Sequence, residues 1–168
     1  MIPLGIRNNN PLNIRRGKTP WKGEIPHSPS PTGATGGFRA ATECGCSPTK
    51  GSKSPLATGF GRGEAAFCKF ESLEWGIRAA FCLLRTYSRK YHLNCIADII
   101  TRWAPPSEND TSRYICNVCR WTGFGGMQRL TESDWPALVR AMARQETGVE
   151  LSNSLIEKAF EMFKEIQN

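Results

Sequence analysis

Apolar side chains in the second two-thirds of the chain recur at helical spacing. Ile77, Phe81 and Leu84 stand at i, i+4 and i+7 behind Ser72, a good N-cap residue, and predict a helix from there to about Lys90. Ile96, Ile99 and Ile100 predict a shorter helix over about Asn94 to Arg102, stopped before Pro105-Pro106, which cannot continue one. Ser107-Glu-Asn-Asp110 caps a third, which carries Tyr114, Ile115 and Val118 and ends near Gly123. A fourth starts at Ser133 and Asp134, aligns Leu138, Val139 and Met142 on one face and closes at Thr147-Gly148. The last, about Asn153 to Ile166, aligns Leu155, Ile156, Ala159, Phe160, Phe163 and Ile166. Between His27 and Gly63 this patterning stops. There 22 of the 37 residues are Gly, Pro, Ser or Thr, and only Phe38, Leu56 and Phe60 are bulky and apolar, so the stretch 27–63 is read as an irregular insertion rather than a domain. Five helices with an irregular, partly extended N-terminal third predict an α+β, mostly α, fold with a small irregular or β N-terminal lobe.

The length, 168 residues, suits a single domain over 1–168 with a proper core. Hydrophobic residues at 39% and charged residues at 22% exclude a globally disordered chain. With no run of 18 apolar residues, no membrane span is expected. The opening Met1-Ile-Pro-Leu-Gly-Ile-Arg-Asn-Asn-Asn10 lacks a basic region followed by an apolar stretch, so no secretory signal peptide is expected either. Twenty-two Lys and Arg against 15 Asp and Glu give a formal charge of +7. That favours a polyanionic partner, whether nucleic acid, a membrane face or an anionic cell wall, and charge alone does not choose among them.

Seven cysteines are many for this length, and an odd number cannot all pair within one chain. Cys82 sits on an apolar helical stripe, where it packs as a small hydrophobe. Cys44-Gly-Cys46 and Cys116-Asn-Val-Cys119 together offer four thiolates of the kind zinc takes, but the first pair is tightly spaced and Cys116 falls in a predicted helix. Disulfides and plain thiols stay open for them, and neither a metal nor a cofactor is expected.

The residue types that carry chemistry converge on Glu146. It stands at the end of a helix, where a rigid element holds a carboxyl that can still point into a cleft, and a partly buried Glu can stay protonated to act as an acid. Glu71 and Glu24 are the alternative acids, although Glu71 also reads as a charge placed at the start of the following helix. The asparagines Asn8, Asn9, Asn10 and Asn13 read equally as turn formers and as amides able to bond sugar hydroxyl and N-acetyl groups. Trp21, Trp103 and Tyr114 read either as packed aromatics or as sugar-stacking surfaces, and Arg15-Arg16-Gly-Lys18 as a solvated basic face.

Taken in order, the chain presents Gly5-Ile-Arg-Asn-Asn-Asn-Pro-Leu-Asn-Ile14, Trp21-Lys-Gly-Glu24, Phe67-Cys-Lys-Phe-Glu-Ser72 with Gly76-Ile-Arg-Ala79, Arg102-Trp-Ala-Pro-Pro-Ser-Glu-Asn-Asp-Thr-Ser-Arg-Tyr114 and Arg140-Ala-Met-Ala-Arg-Gln-Glu-Thr-Gly148. This resembles a family of phage and prophage proteins, often called virion or structural proteins, that look like lysozyme-type peptidoglycan hydrolases. The likeness covers most of the chain outside 27–63. The same pieces are similar to those of autolysin-type glucosaminidases and lytic transglycosylases, but there the Glu-bearing helix comes first, and here it comes last. The resemblance implies a circularly permuted lysozyme-like fold in which Glu146 meets Asn10 and Asn13. It implies Glu146 as general acid/base, Trp103 and Tyr114 as groove residues, and Asn10 and Asn13 as positioning groups. It also implies peptidoglycan glycan strands as substrate, other virion proteins as partners, and a phage-encoded protein acting at the cell wall or periplasm after delivery by other means. Whether the reaction is that of a transglycosylase or a muramidase or glucosaminidase stays open, with no second carboxylate singled out by spacing. A non-catalytic virion or wall-binding protein on the same fold is the alternative. A nucleic-acid binder ranks last, since no recognition-helix or ribbon pattern supports it.

Overall fold

Helices form where the apolar periodicity puts them, and one that the periodicity does not announce precedes them. The computed structural model describes residues 1–26 and 66–165. Within these the order is α1 (Leu4–Arg7), α2 (Leu73–Tyr91), α3 (Ile96–Trp103), α4 (Thr111–Thr122), a 3₁₀ turn at Glu132–Asp134, α5 (Trp135–Thr147) and α6 (Asn153–Glu165). The described part is mostly α. The third cap differs in detail from expectation: Asp110, not Ser107, is the N-cap of α4, and its carboxylate accepts from the Arg113 N–H at 3.1 Å. Helix α1 is a single turn, too short to show a period. The insertion expected at 27–63, with Cys44 and Cys46, lies outside the described residues.

Helix α5 is the hub and packs against α1, α2, α4 and α6. Trp135, Leu138, Val139, Ala141, Met142, Ala143 and Thr147 are all buried, so more than one face of α5 is lost to water. Aromatic rings close the core where α2, α5 and α6 meet. Phe163 of α6 lies against Phe81 of α2 (ring centroids 5.8 Å apart) and against Trp135 of α5 (5.9 Å). A fully buried side chain of this size contributes about 1.5–3 kcal/mol, and Phe81 and Phe163 are both completely enclosed.

The N-terminal lobe is irregular, with pairing limited to isolated bridges among the described residues. Residues 66–71 run between two segments: Cys68 N–H donates to the Ile14 carbonyl (2.9 Å), and Ile25 N–H donates to the Lys69 carbonyl (2.7 Å). Antiparallel bridges join Arg15 to Phe67 and Glu24 to Phe70. Leu12 and Ile14 anchor this lobe in the core. Two glycines set how closely it approaches the helices. A Cβ on Gly76 of α2 would collide with the Asn9 carbonyl. A Cβ on Gly5 would meet the Asn10 carbonyl at 2.9 Å, Thr147 Cγ2 at 3.0 Å and Asn13 Oδ1 at 3.1 Å. Gly5 therefore lets the first turn of the chain sit against the last turn of α5, which is what brings sequence-distant residues to one site.

Candidate active site

Helix α5 stops because Gly148 adopts the left-handed conformation (φ +70°) and its N–H closes on the Arg144 carbonyl at 2.8 Å. Glu146 sits in that final turn. The turn over residues 8–14 faces it, and two of its asparagines hold positive φ, Asn9 at 52° and Asn13 at 50°. Asparagine tolerates this conformation better than other residues with a Cβ.

The carboxylate of Glu146 accepts two hydrogen bonds: Asn13 Nδ2 donates to Oε2 at 2.9 Å, and the Tyr114 hydroxyl donates to Oε1 at 3.0 Å. Burial pushes the Glu146 carboxyl above the ordinary carboxylate range, while Asn13, Tyr114 and the neighbouring Trp103 indole pull it part of the way back. Its place at a helix C-terminus acts in the same direction as burial, because the negative end of the helix dipole disfavours a second negative charge. Burial and the Glu146 charge in turn push the Tyr114 phenol well above its usual value, so it remains a donor.

A cavity of about 170 Å³ opens beside this carboxyl. Leu12, Asn13 and Arg15 line it from the N-terminal turn, Phe67 from the bridging segment, and Trp103, Ala104, Pro105, Glu108 and Asn109 from the end of α3 and the connection to α4. That connection is fixed by the Thr111 hydroxyl, which donates to the Ala104 carbonyl at 2.5 Å. Across the cavity lining, Arg15 donates to Glu108 at 2.9 Å, with both side chains about two-fifths exposed.

The structure divides the residues singled out from the sequence. Glu146, Asn13 and Trp103 come together at the cavity. Asn10 does not reach it: the residue is 1% exposed, its amide donates to the Ile14 and Cys68 carbonyls (2.9 and 3.0 Å), and its oxygen accepts from Ile14 N–H (2.9 Å). It builds the turn from which Asn13 projects and has nothing left for a ligand. Tyr114 is 5% exposed, so it acts on the Glu146 carboxylate rather than as a groove surface. Neither alternative acid lines the cavity. Glu24 clamps its own turn by accepting from the Trp21 N–H at 2.9 Å, beside the Cys68 thiol, which burial and Glu24 push up to about 12. Glu71 is exposed ahead of α2, and its N–H donates to the Gly23 carbonyl at 3.0 Å. Arg15, read as a solvated basic residue, and Glu108, assigned no role, are lining residues that the sequence did not single out. Nothing in their spacing signals that they meet. Cys116 is exposed and Cys119 half-buried on α4, and no group of three His, Cys, Asp or Glu side chains able to hold a metal occurs among the described residues.

Protein P5 of Pseudoalteromonas phage PM2 is 35% identical to this chain over 147 residues, covering 86% of the chain and 71% of the phage protein. The chain belongs to the protein P5 family. No family model matches it. That relative is a bacteriophage protein. In this P5-family chain, no helix among the described residues is long and apolar enough to cross a membrane.

Proposed function

We propose that this P5-family protein cleaves the glycan strand of peptidoglycan, with Glu146 as general acid and then base, on a circularly permuted lysozyme-like fold. The observation that carries the reading is a mostly buried carboxyl, raised above its ordinary range, at the edge of a cavity lined by polar and aromatic side chains. A glycosidic oxygen is a poor leaving atom until it is protonated, and a carboxyl retained in its acid form supplies that proton. As the C–O bond breaks, Glu146 becomes a carboxylate, which the Asn13 and Tyr114 donors stabilise. It then takes a proton from the attacking hydroxyl. Trp103 offers a ring to a sugar face at the same cavity.

Two routes fit this chemistry. In a transglycosylase the sugar's own 6-hydroxyl attacks and one Glu suffices. In a hydrolase a second carboxylate assists water or forms the intermediate, and Glu108 is the other carboxylate in the lining. Mass spectrometry of soluble muropeptides separates them, because anhydro ends mark the first route and reducing ends the second. Wild-type protein should release such fragments from purified sacculi and Glu146→Gln should release none. Release at the wild-type rate by Glu146→Gln removes the assignment.

The phage relative also favours a second reading, a virion or wall-binding protein on the same fold without catalysis. Co-sedimentation of wild-type protein with insoluble peptidoglycan, without soluble fragments, would select it.

A further inference from the structure

On the face of α5 turned away from Glu146 lies a second cavity, of about 280 Å³, where Arg120 and Trp121 of α4 meet Arg140 and Arg144 of α5. Ala137, Arg140, Ala141 and Arg144 share one helical face at i, i+3, i+4 and i+7, with the two alanines leaving room between the arginines. Glu146 lies about 200° further round the helix than Arg144, so the two sites are separate.

The charges in this cavity do not balance. Three guanidinium groups line it, with Glu150 as the only carboxylate. Glu150 approaches Arg144 at 3.7 Å, with side chains 42% and 61% exposed, the kind of pair that contributes little. Arg140 donates to a neutral acceptor, Asn153 Oδ1, at 2.5 Å, which orients the guanidinium without cancelling its charge. The Arg144 guanidinium lies over the Trp121 ring, 4.5 Å from its centroid. Arg120 has no carboxylate partner among the described residues. Like charges gathered and oriented in a concave site repel one another, so the folded protein gains nothing from the grouping until an anion enters.

We propose that this cavity binds a single phosphate group, either a free phosphate ester or the headgroup of an anionic lipid. Planar guanidinium forks match phosphate oxygens two at a time, and several converging on one point suit a tetrahedral dianion better than a carboxylate, which one fork already satisfies. A concave pocket also suits a discrete group better than the spaced phosphates along a duplex, which call for an extended basic surface.

The test is calorimetric titration with inorganic phosphate, against sodium chloride and acetate at equal ionic strength. Wild type should bind phosphate saturably. Arg120→Glu, at an exposed position, and the pair Arg120→Glu with Arg144→Gln should weaken binding by at least about tenfold, the equivalent of one charge-assisted hydrogen bond. Glu146→Gln should bind as wild type does, which separates this site from the glycan-cleaving one. Co-sedimentation with phosphatidic acid vesicles, and not with phosphatidylcholine vesicles, would name a lipid headgroup; phosphate binding without vesicle binding would name a soluble ester. The proposal falls if chloride or acetate matches phosphate, if the Arg120→Glu protein binds phosphate undiminished, or if duplex DNA binds while inorganic phosphate does not.

Discussion

Replacing Tyr114 with Phe removes one oxygen from a side chain that is 5% exposed, with little change in volume. The loss is the 3.0 Å hydrogen bond to Glu146 Oε1. A hydrogen bond to a charged group is worth about 1.5–3 kcal/mol and one between neutral groups about 0.5–1.5 kcal/mol. The larger figure applies where Glu146 is ionised and the smaller where it is protonated. For a chain of this size each kcal/mol moves the melting temperature by about 2–4 °C, so Tyr114→Phe should lower it by about 3–12 °C on the ionised side and about 1–6 °C on the protonated side. The sign follows from burial. Glu146 has a higher pKa folded than unfolded, so the folded state binds the proton more tightly. Wild-type stability therefore falls as pH rises from the ordinary Glu value through the raised folded value, and this contribution is level above it. Tyr114 limits that fall by stabilising the carboxylate, and Phe should make it steeper. In a Glu146→Gln background, Tyr114→Phe should cost only the neutral amount, with no pH dependence. Thermal melts of both single variants, the double variant and wild type across the acid range measure the coupling. An equal cost in both backgrounds at every pH would refute the claim that Tyr114 holds a carboxylate.

Three further outcomes are expected. Glu146→Gln keeps both contacts, with the amide oxygen toward Asn13 and the amide nitrogen toward the Tyr114 oxygen. It should therefore melt higher than wild type above the ordinary carboxylate range, with no difference well below it, and lose glycan cleavage throughout. Asn13→Gly suits φ 50° but lacks the amide that donates to Glu146, so it should impair cleavage and cost that hydrogen bond, about 0.5–3 kcal/mol, whereas Asn13→Ala adds about 1–2 kcal/mol of left-handed strain on top of it, readable by denaturant titration. Gly5→Ala forces a Cβ against Asn10, Asn13 and Thr147 and should cost about 1–3 kcal/mol, with a matching drop in activity as the turn leaves the end of α5.

The long helices were legible because each buries a stripe wide enough to repeat several times. Phe81, Leu138, Met142 and Phe163 sit where their spacing puts them, all fully buried. Helix α1 was not legible, since four residues carry no period. The last helical turn together with the family resemblance singled out the candidate acid, and the resemblance named Asn13, Trp103 and Tyr114 beside it, but not the contact each one makes. Asn10 and Asn13 look alike in sequence; the hydrogen bonds of Asn10 back onto its own turn and the left-handed backbone of Asn13 decide which one faces Glu146. Tyr114 reads as a groove aromatic until its burial is known. Arg15 and Glu108 lie 93 positions apart with no pattern linking them. Nothing in the sequence links the three arginines of the second cavity, because their meeting depends on how α4 packs on α5.

The carbon-13 NMR titration of the Glu146 side-chain carboxyl, assigned by its absence in Glu146→Gln, tests most directly whether this site holds a proton donor. The account predicts one Glu resonance that titrates above the ordinary carboxylate range, moves higher still in Tyr114→Phe, and coincides with the alkaline limb of glycan cleavage. A Glu146 resonance titrating with the exposed glutamates, and unmoved by loss of the Tyr114 hydroxyl, would contradict it.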